Sequence, residues 1–327
     1  MELHRIDLDR PGHLLDGYYA AYVAGDDERP EPPRSRPRFA WMITRGWAGY
    51  PHEAWAAVAD GEVVGGYALE FPEDENPHLA ELIALTVHPA HRRRGVGRAL
   101  IAHVHERARA NGRGAVLTWA RAEGATAGFA QALGFDQTYA SVRRLLDLRT
   151  AGWDRYRELA AVRVPGYELE YWDGPARGAR LDDLTALMQG MNDAPQAEGV
   201  DKPDWGRERV AFAEEALGPC RQRSLVVVAR RLADGVPAGF TRIYVDEDGE
   251  PAWGLQADTT VLREHRGRRL GVLLKAANLV RLRRDAPSVE RLVTWNAASN
   301  APMVAVNDEL GYRPLDAWGQ WTAQSAT

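Results

Sequence analysis

The 327-residue chain holds one cysteine, Cys220, so no disulfide can close within it and nothing calls for an oxidising compartment. Lysine is almost missing: Lys202 and Lys275 stand in an arginine-, alanine- and glycine-rich background that reads as GC-rich coding. No apolar run approaches the ~18 residues of a membrane span. The longest are short, such as Ser224 to Ala229, and residues 1–10 carry no signal-like apolar segment. An excess of charge is absent too. The 41 basic against 46 acidic residues give −5 and a pI near 6.0, so no global field draws the chain to nucleic acid or anionic lipid. A cytoplasmic protein with no nucleic-acid partner and no membrane partner is expected, its oligomeric state left open. Zinc-type clusters of Cys, His and acid are lacking, since His88, His91, His103 and His105 read as surface or loop histidines; no metal is expected. No Gly-x-Ser-x-Gly elbow occurs. The tryptophans are scattered through an acidic chain and read as core residues.

What is present is globular: 45% hydrophobic and 27% charged residues, over a length suited to two domains of about 150 residues each. The chain repeats itself. Val87-His88-Pro89-Ala90-His91-Arg92-Arg93-Arg94-Gly95-Val96-Gly97-Arg98 recurs as Val261-Leu262-Arg263-Glu264-His265-Arg266-Gly267-Arg268-Arg269-Leu270-Gly271-Val272, and Leu133-Gly134-Phe135 recurs as Leu310-Gly311-Tyr312. Each copy reads as a run of strands, a helix, a strand, a short helix and a strand. In the first copy Glu62 to Leu69 and Ala80 to Val87 form an antiparallel pair, a helix runs through Leu100, Ile101, Val104 and Ala108, Ala115 to Trp119 is a strand, and Ser141 to Leu148 closes the copy. In the second, Ser224 to Ala229, Ala238 to Val245 and Gly254 to Val261 are strands, Leu270 to Arg283 is the helix and Val289 to Trp295 the next strand. Polar, proline-containing stretches, Arg29 to Arg38 and Met191 to Asp204, read as surface loops. The expected domains are 1–150, a helical connector at 151–162 and 163–327, each α/β with a mixed sheet flanked by helices.

A strand feeding a glycine- and arginine-rich turn that opens a helix suits a phosphate group. Unpartnered N–H groups and the helix dipole face the anion, glycine permits close approach, and arginine can close over it. The spacing Arg92-x-x-Gly95-x-Gly97 is neither the dinucleotide fingerprint nor the lysine-ended nucleotide loop. With Val87 and Pro89 ahead of it and Leu133-Gly134-Phe135 behind, it resembles the pyrophosphate loop of the GNAT superfamily of acyl-CoA-dependent N-acyltransferases. The second copy is similar, but Arg266-x-x-Arg269-x-Gly271 has arginine where the first glycine belongs. Its stretch from Thr294 through Asn300 to Tyr312 resembles tandem-domain actinobacterial members. The resemblance implies bent, mainly antiparallel sheets, each splayed to admit the pantetheine arm of acetyl-CoA as co-substrate. It implies that Leu85, Thr86 and Val87 pair with pantetheine and that the loop from Arg92 through Arg93, Arg94, Gly95, Val96 and Gly97 to Arg98 holds pyrophosphate. Thr259 to Val261 with Arg266, Gly267, Arg268, Arg269, Leu270 and Gly271 would serve the second copy, and Asn300 matches an asparagine that often contacts CoA.

An amine near pKa ~10 must lose a proton to attack a thioester. Glu81 lies eleven residues before Arg92, the spacing at which the family carries a glutamate base, and strict alternation would place it on one face with Ile83, Leu85 and Val87. A solvated strand-end glutamate is the plain alternative. The second copy has Leu255 there, which leaves Asp258 as its best base or as a hydrogen-bonded structural acid. The family's acid, a tyrosine after the aromatic residue of the Gly-Phe helix, is absent: Ala130 follows Phe129 and Asn307 follows Val306. The reading is acetyl transfer from acetyl-CoA to the primary amine of a small molecule. A non-catalytic CoA-binding module and a protein lysine acetyltransferase are the alternatives.

Overall fold

The computed structural model describes residues 1–25, 29–46, 48–248 and 252–325. In chain order the elements are β1 (Glu2–Arg5), α1 (Gly12–Ala24), α2 (Arg36–Arg45), β2 (His52–Ala59), β3 (Glu62–Glu70), β4 (Leu79–Val87), α3 (Val96–Ala110), β5 (Ala115–Arg121), α4 (Gly124–Gln131) and β6 (Asp136–Asp147). There follow α5 (Trp153–Ala161), β7 (Tyr167–Asp173), α6 (Ala179–Gln189), α7 (Arg207–Glu215), β8 (Gln222–Arg231), β9 (Pro237–Asp246), β10 (Trp253–Val261), α8 (Leu270–Asp285), β11 (Arg291–Ala297), α9 (Ala301–Glu309) and β12 (Arg313–Gln324). The strands and helices read from the repeats are all present. Arg29 to Arg38, read as one loop, already contains the start of α2.

Two compact units result: Met1–Ala140 with Ala197–Asp201 and Ala317–Thr327, and Ser141–Gln196 with Lys202–Asp316. Neither is continuous in sequence. The first unit has the sheet order β1-β2-β3-β4-β5-β12, its last strand supplied by the chain's end, where Trp318 to Gln324 pair antiparallel with Arg121 to Ala115. The second has β6-β11-β10-β9-β8-β7, its edge supplied by Ser141 to Asp147 pairing with Ala297 to Arg291. Ser141 to Leu148, expected to close the first copy, thus pairs within the second unit, and a boundary at residue 150 differs from the units by this exchange of strands.

In the first unit α3 presents Val96, Leu100, Ile101, Val104 and Ala108 to one face of the sheet, against Tyr67, Leu69, Leu82 and Trp321. Helices α1 and α2 bury Leu15, Tyr18, Phe39, Met42 and Ile43 on the other face, against Ala54, Ala56 and Ala68. Arg107 on the far turn of α3 forks onto the buried carboxylate of Glu53 on β2 with two 2.8 Å bonds. Although burial opposes it, that pairing and the bond from the Trp55 indole hold Glu53 below the ordinary carboxylate range. The second unit repeats the layers: α8 and α5 cover Leu225, Ile243 and Leu292, while α6 and α7 cover Val226, Val228 and Phe240 on the opposite face. Each sheet is mainly antiparallel, with one parallel pair, β4–β5 or β10–β11.

Candidate active site

Each parallel pair is short. β4 and β5 pair only from Leu79–Ala115 to Leu82–Thr118, and β10 and β11 only from Trp253–Arg291 to Leu255–Val293. Beyond these points the strands part. Thr118 Oγ1 donates to the Leu82 carbonyl at 2.8 Å at the point of parting. The backbone edge of Leu85, Thr86 and Val87 therefore has β3 on one side and, among the described residues, no paired strand on the other, and Thr259 to Val261 stand in the same way beside β9.

A bulge sits at each parting. On β4 the register passes from Ala84–Ala68 to Leu82–Leu69, leaving Ile83 as the extra residue; on β10 it shifts between Gln256 and Thr259. One inserted residue reverses which face later side chains meet. Glu81, Ile83, Leu85 and Val87 were expected on one face. The bulge corrects this: Leu85 and Val87 pack on the α3 side, Ile83 and Ala84 on the α1–α2 side, and Glu81, paired with Leu117 in the parallel register, shares the α1–α2 side. The proposed base thus lies on the sheet face opposite the phosphate-loop helix. Glu81 is directly opposite Glu70 on β3, whose buried carboxylate accepts the Ala48 N–H at 3.1 Å.

In the second unit Leu255 pairs with Val293 as Glu81 pairs with Leu117, the place that the spacing from the loop implied, although Leu255 is the last pair before the parting and Glu81 the last but one. Asp258 lies in the bulge, opposite Arg242, with Oδ2 3.8 Å from the guanidinium nitrogen. Arg242 is itself buried and 2.9 Å from Glu214, so Asp258 belongs to an ion-paired cluster. Gln256 turns to the other face, where its Nε2 donates to Thr241 Oγ1 at 3.0 Å and to the Arg242 carbonyl at 2.8 Å.

The two loops have the same backbone shape built from interchanged residues. Positive φ occurs at the position after the first arginine, 63° at Arg93 and 78° at Gly267, and again two residues later, 85° at Gly95 and 60° at Arg269. Each loop thus has one glycine and one arginine in the left-handed region, so Arg269 keeps the turn at the modest cost a side chain meets there. Its guanidinium bonds Glu309 on α9. Among the described residues no partner takes the N–H groups of Arg93, Arg94, Gly95, Val96, Gly97 or Arg98 at the opening of α3, nor those of Gly267 to Val272 at α8. Both helix mouths therefore present unsatisfied donors.

Their arginines differ. Arg92, expected at the anion, braces the loop, with Nε on the Val87 carbonyl at 3.2 Å and Nη2 on the Gly25 carbonyl at 2.9 Å. Arg266 does the same through the Val261 carbonyl and Asp193. Arg93, Arg94 and Arg98 are exposed with no bond among the described residues, whereas Arg268 is tied to the Glu264 carbonyl and Arg269 to Glu309. Gly97 admits α4: a Cβ there would lie 2.9 Å from the Phe129 ring. Asn300, expected at CoA, caps α9 by accepting the Met303 N–H at 3.3 Å. Among the described residues, no group of three or more His, Cys, Asp or Glu able to hold a metal occurs and no helix is long and apolar enough to cross a membrane.

Two features escaped the sequence reading. Thr118-Trp119 on β5 repeats as Thr294-Trp295 on β11, and both tryptophans stay about 40% exposed beside the partings. In the second unit the Lys275 Nζ donates to Asn307 Oδ1, and Asn307 Nδ2 donates to Asn296 Oδ1 at 2.7 Å, all three buried. The equivalent residues of the first unit, from the repeat offsets, are Ile101, Ala130 and Ala120. The two aligned motifs bracket β5 and β11, so extending the alignment between them would have found both features.

The model of the Acetyltransferase (GNAT) family matches residues 16–135. The chain is 28% identical over 319 residues to a mycothiol acetyltransferase of Salinispora arenicola, covering 94% of this chain and 92% of that protein. It is 31% identical over 262 residues to the mycothiol acetyltransferase of Thermomonospora curvata, covering 78% and 77%. Among solved structures, a tandem GNAT protein from the clavulanic acid biosynthesis pathway superposes with a TM-score of 0.83 at 28% identity, over 100% of this chain and 99% of that one.

Proposed function

Because the chain belongs to the GNAT acetyltransferase family, in its tandem form, we propose that its first unit transfers acetyl from acetyl-CoA to the primary amine of a small molecule, with Glu81 as the base. The observation that carries this is the pairing, within one unit, of an open β4 edge with a complete loop whose N–H groups and three exposed arginines have no partner among the described residues. The N–H groups of Arg93 to Arg98 would take the pyrophosphate, with Arg93, Arg94 and Arg98 adding charge-assisted bonds. The edge of Leu85 to Val87 would pair with the pantetheine amides. The second unit, with Leu255 at the base position and its loop arginines engaged internally, is a degenerate copy in this reading.

The reaction needs little from the protein beyond placement and one proton transfer. The Glu81 carboxylate takes a proton from the substrate ammonium, directly or through one water, and the freed lone pair attacks the thioester carbonyl carbon. The cationic nitrogen of the tetrahedral adduct releases its extra proton to solvent, the C–S bond breaks as the C=O re-forms, CoA leaves as its thiolate, and the product is a neutral amide that keeps one N–H. With alanine following Phe129, no side chain of α4 supplies the thiolate's proton, and a thiolate leaves tolerably without one. The mycothiol acetyltransferases that the chain is similar to favour a small-molecule acceptor over a protein lysine. The test is thiol release from acetyl-CoA across a panel of amines, with calorimetry of CoA binding alongside. Turnover that survives Glu81→Gln at wild-type rate would refute the assignment of the base. Saturable CoA binding with no turnover on any amine would favour a binding module.

A further inference from the structure

On the face that carries Glu81, the first unit holds an aromatic surface and an unsatisfied buried amide that nothing in the acetyl-transfer step requires. Trp119 lies on β5 two residues beyond Leu117, so it shares that face, and it remains 40% exposed although a tryptophan ordinarily hides most of its ring. Its orientation is fixed by Tyr139, whose ring meets it edge-on at 5.9 Å and 82°. Directly opposite Trp119 in the β5–β12 register is Gln320. Trp321 and Ala323 pack on the α3 side, so Gln320 turns to the Glu81 face with Trp119. It is 6% exposed, and its Oε1 has no hydrogen-bond partner among the described residues. A buried amide oxygen left unpaired is costly, on the order of 1–3 kcal/mol. An incoming N–H or O–H donor relieves that cost.

We propose that Trp119 and Gln320 form the acceptor subsite: the substrate is an amine whose body offers a ring face to Trp119 and whose far end donates a hydrogen bond to Gln320 Oε1. This rests on the acetyltransferase reading, with Glu81 marking the amine end. Neighbouring strands are ~4.8 Å apart. Glu81 and Gln320 stand two strands apart with β5 between them, so the acceptor spans on the order of 8–12 Å from amine to donor, with the ring over Trp119. A short alkylamine reaches only one end. A lysine side chain reaches Glu81 but brings no ring to Trp119.

Tyramine, phenethylamine and propylamine separate these elements, since they have respectively ring and donor, ring alone, and neither. The wild-type kcat/KM is expected to fall about tenfold at each removal. Trp119→Ala should raise the acceptor KM about tenfold with the acetyl-CoA KM unchanged, and Trp119→Phe should restore most of the loss, which a purely structural role would not produce. Gln320→Leu should equalise tyramine and phenethylamine. Equal kcat/KM for all three amines in the wild type, or tyramine preference that persists in Gln320→Leu, overturns the subsite while leaving acetyl transfer standing. Binding is read separately by calorimetry: tyramine that binds wild type and weakens in both variants, with no amine acetylated, supports the subsite and refutes the acetyltransferase reading.

Discussion

The buried Lys275 gives the sharpest quantitative test of this fold. Its ammonium is enclosed by α8, α9 and the ring of Tyr312, 4.8 Å away, and its hydrogen bond goes to Asn307. Burial lowers its pKa from 10.5 to about 7, because the charged form has lost its water. At 1.36 kcal/mol per unit, the difference of 3.5 units amounts to about 5 kcal/mol of linked stability. A lysine with a depressed folded-state pKa contributes full stability above pH 10.5, where it is neutral in both states. That contribution is lost as pH falls towards 7, and is flat below. Between pH 9.5 and 7 the loss is about 3 kcal/mol.

Lys275→Met keeps the length of the side chain and removes the proton, leaving Asn307 Oδ1 without its donor at a cost of about 1–3 kcal/mol. The variant should therefore be more stable than wild type near pH 7 by about 1–3 kcal/mol. The difference should move about 3 kcal/mol in favour of wild type by pH 9.5. Urea unfolding of both proteins at several pH values measures this, since every other titrating group cancels in the difference. The chain has only two lysines, Lys202 and Lys275, so labelled lysine gives two NMR signals and one should titrate near 7. Two signals titrating above 10, or a stability difference that does not change with pH, would refute the reasoning.

Glu81→Gln should lower kcat by about 10²–10⁴-fold, the usual worth of general-base assistance, while the acetyl-CoA KM hardly moves; steady-state thiol release measures both. Gly97→Val should weaken CoA binding by displacing α4, since a Cβ at this position would stand 2.9 Å from the Phe129 ring. Calorimetry should show part of that affinity restored by adding Phe129→Ala, and no restoration would place the effect at the loop itself. A truncated chain ending at Arg149 loses β12, which leaves the edge of β5 unpaired and removes Trp321 from the core of the first unit. It should aggregate or lack a cooperative transition, and a soluble, cooperatively melting monomer by calorimetry would count against the strand exchange.

The repeat, the strand–loop–helix order in each copy and the family are legible along the chain, because these rest on local chemistry. Glycine and arginine in a turn, a strand ending in Val-x-Pro before it and an apolar stripe on the helix after it all lie within a short stretch of chain. The register place of Leu255 was legible for the same reason, being a count along one strand. Other features depend on partners far away in the chain. The two copies share one strand pattern, so nothing in Ser141 to Leu148 says which copy it completes; only pairing with β11 does. One residue inserted at Ile83 turned Glu81 away from Leu85 and Val87, and no alternation rule reveals a bulge, because a bulge exists only relative to the neighbouring strand. The left-handed backbone at Arg269 matches that at Gly95 because Gly267 and Arg93 are interchanged in the same turn. Arginine in place of the first glycine suggested a different turn in the second loop, and the backbone shows the same turn.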